Sequence, residues 1–280
     1  MVRWCSSLLA LPMLAGCLDG QAARPESASP VGQRYVAMGS SYAAGPGIGE
    51  SADIPSNRCG RSTDNYAHRL ARHLGMRLTD VSCSGATTAH ILGSWDQLPA
   101  QVDAIMPDTR LVTLTIGGND VGFVGFLFGA SCRVEAHRTG SVRRCPDVTR
   151  PTEAQWTALE QSLLRIVAEV RRRAPAARLI FVDYPLVLPP HGTCAAIGVT
   201  ETDADGARAI AARLATVTAR AARAGGAAVL RASRLTRNHD ACAREPWMNG
   251  LHPMPGDGVP FHPKLRGMQS VATALENMIH

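Results

Sequence analysis

Residues 35–47 read Tyr35-Val36-Ala37-Met38-Gly39-Ser40-Ser41-Tyr42-Ala43-Ala44-Gly45-Pro46-Gly47. This short apolar run ends in glycines and two serines, a pattern that predicts a buried strand followed by a tight turn. Open α/β folds bind their ligands at the carboxyl edge of the sheet, where a serine just past such a strand lies at the rim. We therefore take Ser41 as a candidate nucleophile. The stretch alone leaves open a second interpretation, in which Ser40 or Ser41 only caps a helix.

Further strands and helices alternate along the rest of the chain. The predicted strands after the first lie at residues 77–83, 110–116, 178–183 and 227–231. Apolar residues at helical spacing predict helices at residues 64–74, 151–174, 200–223 and 263–278. This alternation predicts an α/β domain of three layers, a five-stranded parallel sheet with helices on both faces. We expect the flavodoxin-like strand order 2-1-3-4-5.

Small polar turns follow the first three predicted strands. Ser41, Gly85 and Asn119 each belong to one of these turns, and the expected strand order brings the three turns to one edge of the sheet. A serine nucleophile needs hydrogen-bond donors where negative charge develops on the substrate carbonyl oxygen. The Gly85 backbone N–H and the Asn119 side-chain amide are suitable donors. The three residues therefore indicate nucleophilic catalysis at this edge.

The nucleophile also needs a base, for which the chain offers two histidines near its last predicted helix. His262 lies in the loop directly before that helix, from which a side chain can reach back over the sheet edge. His252 is the rival, and either could instead be a histidine of a surface loop. Its position favours His262 as the base.

An apolar stretch follows directly after Asn119 and contains Phe123, Phe126 and Phe128, three of the five phenylalanines. Such a stretch could line an acyl pocket at the mouth of the site, since ligand pockets have mostly apolar walls. The alternative is a buried helix that packs on the sheet.

The N-terminus is typical of an export signal. A positive residue precedes an apolar core at residues 8–14, which is too short to span a bilayer. Residues 14–17, Leu-Ala-Gly-Cys, resemble the lipobox of bacterial lipoproteins, in which the cysteine becomes the acylated first residue. We therefore expect an exported protein anchored to a membrane, with a signal peptide at residues 1–16, a lipidated Cys17 and flexible tether at 17–33, and one folded domain at 34–280. The alternative is an ordinary secretory signal with a coincidental cysteine.

Composition argues against disorder and against nucleic-acid binding. The 280-residue chain is 45% hydrophobic, which is typical of a folded protein. Its net charge of +6 comes almost wholly from arginines scattered through the predicted helices, since Lys264 is the only lysine. Neither a basic stripe nor a binding motif occurs, so we expect no nucleic-acid partner.

Six cysteines remain in the predicted domain, at positions 59, 83, 132, 145, 194 and 242. An even number in an exported chain favours disulfides. The spacing differs from that of paired CxxC zinc sites, so we expect no metal. Six cysteines allow fifteen pairings, of which closure between sequence neighbours is the simplest.

Four sequence blocks, taken in order, resemble those of the SGNH or GDSL-type hydrolases. The blocks are Gly39-Ser40-Ser41-Tyr42, Cys83-Ser84-Gly85-Ala86, Gly117-Gly118-Asn119-Asp120 and Pro260-Phe261-His262-Pro263. Within that family the chain is most similar to the secreted bacterial esterase and lipase branch. The resemblance implies the SGNH hydrolase fold, with Ser41 as nucleophile and His262 as base. It also implies an oxyanion hole formed by Gly85, Asn119 and the Ser41 N–H.

The same resemblance implies three disulfides between sequence neighbours, Cys59–Cys83, Cys132–Cys145 and Cys194–Cys242. The implied function is hydrolysis of lipid or short acyl esters through an acyl-enzyme intermediate, without a cofactor, and we expect a monomer. The alternatives are an acyltransferase or glycan deacetylase on the same fold and a non-catalytic surface lipoprotein, because a fold does not by itself imply a function.

The chain departs from the family pattern near the blocks that contain Ser41 and His262. The aspartate usual before the nucleophile is Ser40 here, and the aspartate often found three residues before the histidine is Val259. In the resembling branch a main-chain carbonyl orients the histidine, so we expect the Val259 carbonyl in this role, with the Asp257 carboxylate as a substitute. A neutral carbonyl gives the ring little support for positive charge, and we expect the pKa of His262 to stay near about 6.5. Lys264 replaces the asparagine common after His-Pro, a change that the sequence does not explain.

Overall fold

The computed structural model describes residues 1–2, 29–142 and 144–279. Cys17, with the rest of the predicted signal peptide and tether between residues 3 and 28, lies outside the described residues. None of the described helices is long and apolar enough to cross a membrane.

A parallel sheet of five strands forms the centre of the described chain. Its strands are β1 (Arg34–Gly39), β2 (Arg77–Asp80), β3 (Thr109–Thr115), β4 (Arg178–Val182) and β5 (Ala228–Leu230). They lie in the order β2-β1-β3-β4-β5, and every neighbouring pair is parallel. The predicted α/β class and strand order are confirmed. The order reverses between β1 and β3, so their carboxyl ends flank the position where such folds bind ligands.

Helices cover both faces of the sheet. They are α1 (Ser41–Ala44), α2 (Tyr66–Leu74), α3 (Thr88–Leu92), α4 (Phe123–Thr139), α5 (Glu153–Arg173), α6 (Glu201–Ala224), α7 (Ala232–Leu235) and α8 (Leu265–Ile279). A 3₁₀ helix, Gln101–Ala104, precedes β3. The buried residues of α2 and α8 pack on one face of the sheet, and those of α5 and α6 pack on the other. The prediction of three layers is therefore confirmed.

Capping side chains explain where the longer helices begin. Thr152 and Gln155 form a capping box at the start of α5, and the Thr200 side chain caps α6. Asn65 caps α2, and Gly75 ends it in the left-handed conformation. Because these signals are local in sequence, the predicted helix bounds lie within two residues of the observed ones.

β2 is shorter than the sequence predicts, because it ends at Asp80 rather than at residue 83. The Asp80 carboxylate accepts hydrogen bonds from the Ser82 N–H at 3.0 Å and from the Ser82 hydroxyl at 2.7 Å. This local turn competes with the regular strand.

Three disulfides join sequence neighbours, with the pairing that the family resemblance implies: Cys59–Cys83, Cys132–Cys145 and Cys194–Cys242. The first joins the loop before α2 to the turn that carries Gly85. Each bond restricts the unfolded chain, and such bonds persist in oxidising compartments.

Candidate active site

Ser41 is the first residue of α1, the single helical turn that follows β1. Gly39 permits this sharp turn, because its φ is +140° and a Cβ there would lie 2.5 Å from the Thr115 carbonyl oxygen. The Ser41 Oγ lies 2.7 Å from His262 Nε2, and both residues are buried. Ser40 precedes the helix without capping it through its side chain. The interpretation of these serines as mere helix caps is therefore wrong.

A main-chain carbonyl orients the His262 ring, but it belongs to Pro260. The His262 Nδ1 lies 2.7 Å from the Pro260 carbonyl oxygen. A carbonyl only accepts, so Nδ1 carries the proton and Nε2 is free to accept from the Ser41 hydroxyl. The expectation that Val259 or Asp257 orients the ring is wrong. The Val259 carbonyl instead accepts from the His262 backbone N–H at 3.2 Å.

Asp257 braces the loop before α8 rather than the histidine ring. Its Oδ2 accepts from Lys264 Nζ at 2.7 Å, and its Oδ1 accepts from the Leu265 N–H at 3.0 Å. A carboxylate is favourable at the N-terminus of α8 because of the helix dipole. The ion pair explains the lysine after His-Pro, since it closes the loop that contains His262.

Burial lowers the pKa of His262 to about 4, and the hydrogen bond to the Pro260 carbonyl opposes this shift only in part. The expected pKa near 6.5 is therefore wrong. That value was argued from the hydrogen-bond partner of the ring alone. The desolvation of a loop histidine depends on the tertiary fold, which the sequence does not show. A neutral imidazole at neutral pH is the form that can accept a proton.

Tyr42 holds the histidine loop, and the sequence analysis did not identify it. Phe261 has a φ of +62°, an uncommon conformation for a residue with a large side chain. The Tyr42 hydroxyl donates to the Phe261 carbonyl, and the Tyr42 ring lies 4.6 Å from the His262 imidazole between centroids. The only signal in the sequence is an aromatic residue directly after the candidate nucleophile, in a turn of small residues.

The turns that carry Gly85 and Asn119 are bonded to each other. The Asn119 Nδ2 donates to the Ala86 carbonyl at 2.9 Å. The Asp120 carboxylate accepts from the Thr88 N–H at 3.1 Å and also from the Thr88 hydroxyl. The structure therefore brings Gly85 and Asn119 together with Ser41 and His262 around one cleft.

Tyr184 links the turn of the nucleophile to the turn of Asn119, and it too was missed. Its hydroxyl accepts from the Gly118 N–H at 2.9 Å and lies 3.2 Å from the Ser40 Oγ. Burial raises the pKa of Tyr184 to about 12, so the hydroxyl stays protonated. Ser40 occupies the position where the family pattern has an aspartate. Here its hydroxyl contacts the Tyr184 hydroxyl. No local pattern marks Tyr184, because it follows β4, far along the chain.

The cleft beside Ser41 has a volume of about 420 Å³ and mostly apolar walls. Val124, Phe128 and Val259 line it, and Phe128 is 37% exposed. Phe123 and Phe126 are instead buried in the core. The buried-helix interpretation is therefore correct for Phe123 and Phe126, whereas Phe128 lies at the cleft, because one face of α4 packs inward while another faces the cleft.

His252, the rival base, is exposed and does not line this cleft. Among the described residues, no group of three or more His, Cys, Asp or Glu side chains is arranged to hold a metal ion.

Comparison with known proteins agrees with this geometry. The profile of the GDSL-like lipase/acylhydrolase family matches residues 37–269. The chain belongs to this family. It is 35% identical over 277 residues to Lipase 2 of Streptomyces coelicolor, a match that covers 92% of this chain and 89% of the relative.

Two solved structures are similar to the chain along most of its length. A phospholipase A1 from Streptomyces albidoflavus has a TM-score of 0.72 at 27% identity, covering 88% of this chain and 99% of the other. An extracellular lipase from Streptomyces rimosus has a TM-score of 0.70 at 28% identity, with the same coverage. This chain is accordingly a carboxylic ester hydrolase of the family, and its three disulfides agree with a location outside the reducing cytosol.

Proposed function

We propose that Ser41 attacks the carbonyl carbon of an ester and forms an acyl-enzyme, with His262 as the general base. The observation that carries this proposal is the 2.7 Å contact between Ser41 Oγ and His262 Nε2, in a ring whose Nδ1 proton faces the Pro260 carbonyl. The ring takes the hydroxyl proton as the new bond forms and gives it to the alcohol oxygen as the ester C–O bond breaks. Water then attacks the acyl-enzyme in the same way and releases the acid.

Three donors surround the position of the developing oxyanion. Asn119 uses one Nδ2 hydrogen for the Ala86 carbonyl, which leaves the other for the substrate oxygen. Gly85 donates its backbone N–H, which has no other acceptor within the described part of the chain. Ser41 begins α1, so its N–H has no acceptor inside the helix. Donors fixed in this way stabilise negative charge without reorganising during the reaction.

The acyl group of the substrate is an aliphatic chain rather than an acetyl group on a glycan. Val124, Phe128 and Val259 give the cleft an apolar surface, on which a hydrocarbon chain gains about 0.8 kcal/mol for each buried CH₂. An acetyl group would leave most of this apolar surface uncovered. Esters of aliphatic acids longer than acetate are therefore the favoured substrates.

The test of the nucleophile uses hydrolysis of p-nitrophenyl octanoate and labelling by a fluorophosphonate probe. Ser41→Ala should abolish both, and His262→Ala should abolish hydrolysis, while the matched control His252→Ala keeps wild-type rates. Asn119→Ala should lower kcat on the order of 10²–10³, as expected for one oxyanion donor. Full labelling of the Ser41→Ala variant would mean that another residue is the nucleophile.

The domain at residues 34–280 acts as a monomer tethered to a membrane through lipidated Cys17, with residues 1–16 removed as the signal peptide. The support for this is the sequence Leu14-Ala15-Gly16-Cys17 and the polar stretch that follows it. Cys17→Ser should release the protein from membranes in the expressing bacterium. Membrane retention of that variant, measured by fractionation, would refute the anchor.

A further inference from the structure

Four glycines lie inside helices of the described chain, and close packing accounts for three of them. A Cβ would lie 2.7 Å from Val148 at Gly129, 2.8 Å from Phe126 at Gly206 and 2.6 Å from the Trp247 carbonyl oxygen at Gly267. Gly125 is the exception, since a Cβ there would meet no atom within 4 Å.

The backbone does not require a glycine at position 125 either. Gly125 lies within α4 and is absent from the residues of positive φ, so any amino acid can adopt its conformation. A glycine inside a helix costs about 1 kcal/mol relative to alanine. Neither packing nor conformation explains this cost, which points to a need for empty space.

Gly125 lies between the catalytic cleft and a second cavity of about 180 Å³, and it lines both. Gly122, Gly125 and Phe128 are the exposed residues along this side of α4. Because the two glycines have no side chain, no group projects from the helix surface here. A side chain at position 125 would instead form a wall between the two cavities.

The second cavity differs from the cleft in its chemistry. Its lining includes Asp147, Thr149, Arg150 and Gln155, which offer hydrogen-bond donors and acceptors. The Arg150 guanidinium has no ion-pair partner among the described residues. This lining suits a polar group, while the catalytic cleft suits a hydrocarbon chain.

We propose that Gly125 is a specificity-determining residue that keeps the two cavities continuous. The apolar acyl chain of the ester lies in the catalytic cleft, and the polar alcohol part crosses Gly125 into the second cavity. The preferred substrates are esters of a large polyhydroxylic alcohol rather than simple alkyl esters. This inference rests on the proposed function of Ser41 and extends it to the alcohol side of the substrate.

The test compares two substrate series on wild type, Gly125→Ala and Gly125→Leu. One series varies the alcohol of an octanoate ester from methanol to glycerol to glucose, and the other varies the acyl chain of a methyl ester from butanoate to dodecanoate. Relative to methyl octanoate, Gly125→Leu should lower kcat/KM for the glucose ester by at least about tenfold, since even one extra methylene in a pocket is worth about 10–200-fold. Gly125→Ala should show a smaller loss and should raise the melting temperature by removing the helix-propensity cost.

Arg150→Ala provides a second test that adds no bulk to the site. It should lower kcat/KM for the glycerol and glucose esters relative to methyl octanoate. The loss should be larger for the glucose ester, as in Gly125→Leu. The proposal would be overturned if the variants changed the preference along the acyl series instead, or if they lowered kcat/KM equally for all three alcohols. Failure of the proposed function is distinguishable, because the wild type would then lack Ser41-dependent hydrolysis of every ester in both series.

Discussion

Acid destabilisation through His262 can be measured without any assumption about the substrate. Burial lowers the pKa of this ring to about 4 in the folded protein, whereas an unfolded chain has an ordinary histidine pKa of about 6.5. The difference corresponds to about 3 kcal/mol, because each pKa unit is worth about 1.4 kcal/mol. His262 is 6% exposed, so solvent screening reduces this figure little.

The sign follows from proton binding. Between about pH 4 and pH 6.5 the unfolded chain binds a proton at this histidine and the folded chain does not, so stability falls as the pH falls. The stabilisation is therefore fully present above about pH 6.5 and lost as the pH approaches about 4. Burial also raises the pKa values of Asp80, Asp120 and Asp183, which act in the opposite direction. These carboxyls are common to wild type and variants, so a comparison removes their effect.

The assay is urea unfolding of wild type, His262→Gln and His252→Gln at several pH values from 7.5 to 4, with the disulfides intact. Between these limits the wild type should lose about 3 kcal/mol more than His262→Gln, which has no ring to protonate. The exposed control His252→Gln should parallel the wild type. Parallel curves for His262→Gln and wild type would refute the reasoning from burial.

Over the same pH range, kcat/KM of the wild type should rise with increasing pH, with a midpoint near pH 4, and reach a plateau below neutrality.

Three further predictions concern the residues around the cleft. Tyr184→Phe removes the acceptor of the Gly118 N–H, so kcat should fall about tenfold with little change in KM, and the loss should vanish in the Asn119→Ala background if Tyr184 acts by placing that turn. Asp257→Asn should change kcat by less than about tenfold but lower the melting temperature, measured by calorimetry, because it weakens the contacts at the start of α8. Phe128→Ala should raise KM for long-chain p-nitrophenyl esters more than for the acetate, since it removes apolar surface from the cleft.

Much of the fold could be predicted because its signals are local. The apolar run before Ser41, the helical spacing in α5 and the glycine after α2 each lie within a few residues of the structure that they specify. The order of small polar turns after the strands then placed Ser41, Gly85 and Asn119 at one sheet edge, which the structure confirms as a common location. The same reasoning favoured His262 over His252 by its place before the last helix.

The remaining features depend on contacts between distant parts of the chain. The family resemblance implied that a main-chain carbonyl faces His262. That the carbonyl belongs to Pro260 rather than Val259 depends on the path of the loop, including the left-handed Phe261. The pKa of the ring depends on how completely neighbouring elements exclude water, which no local pattern records. Ser41 and His262 are 221 residues apart, and Tyr184 reaches Ser40 from a separate strand end. Periodicity specifies elements, whereas desolvation and hydrogen bonding between elements arise only when the packed fold fixes their distances.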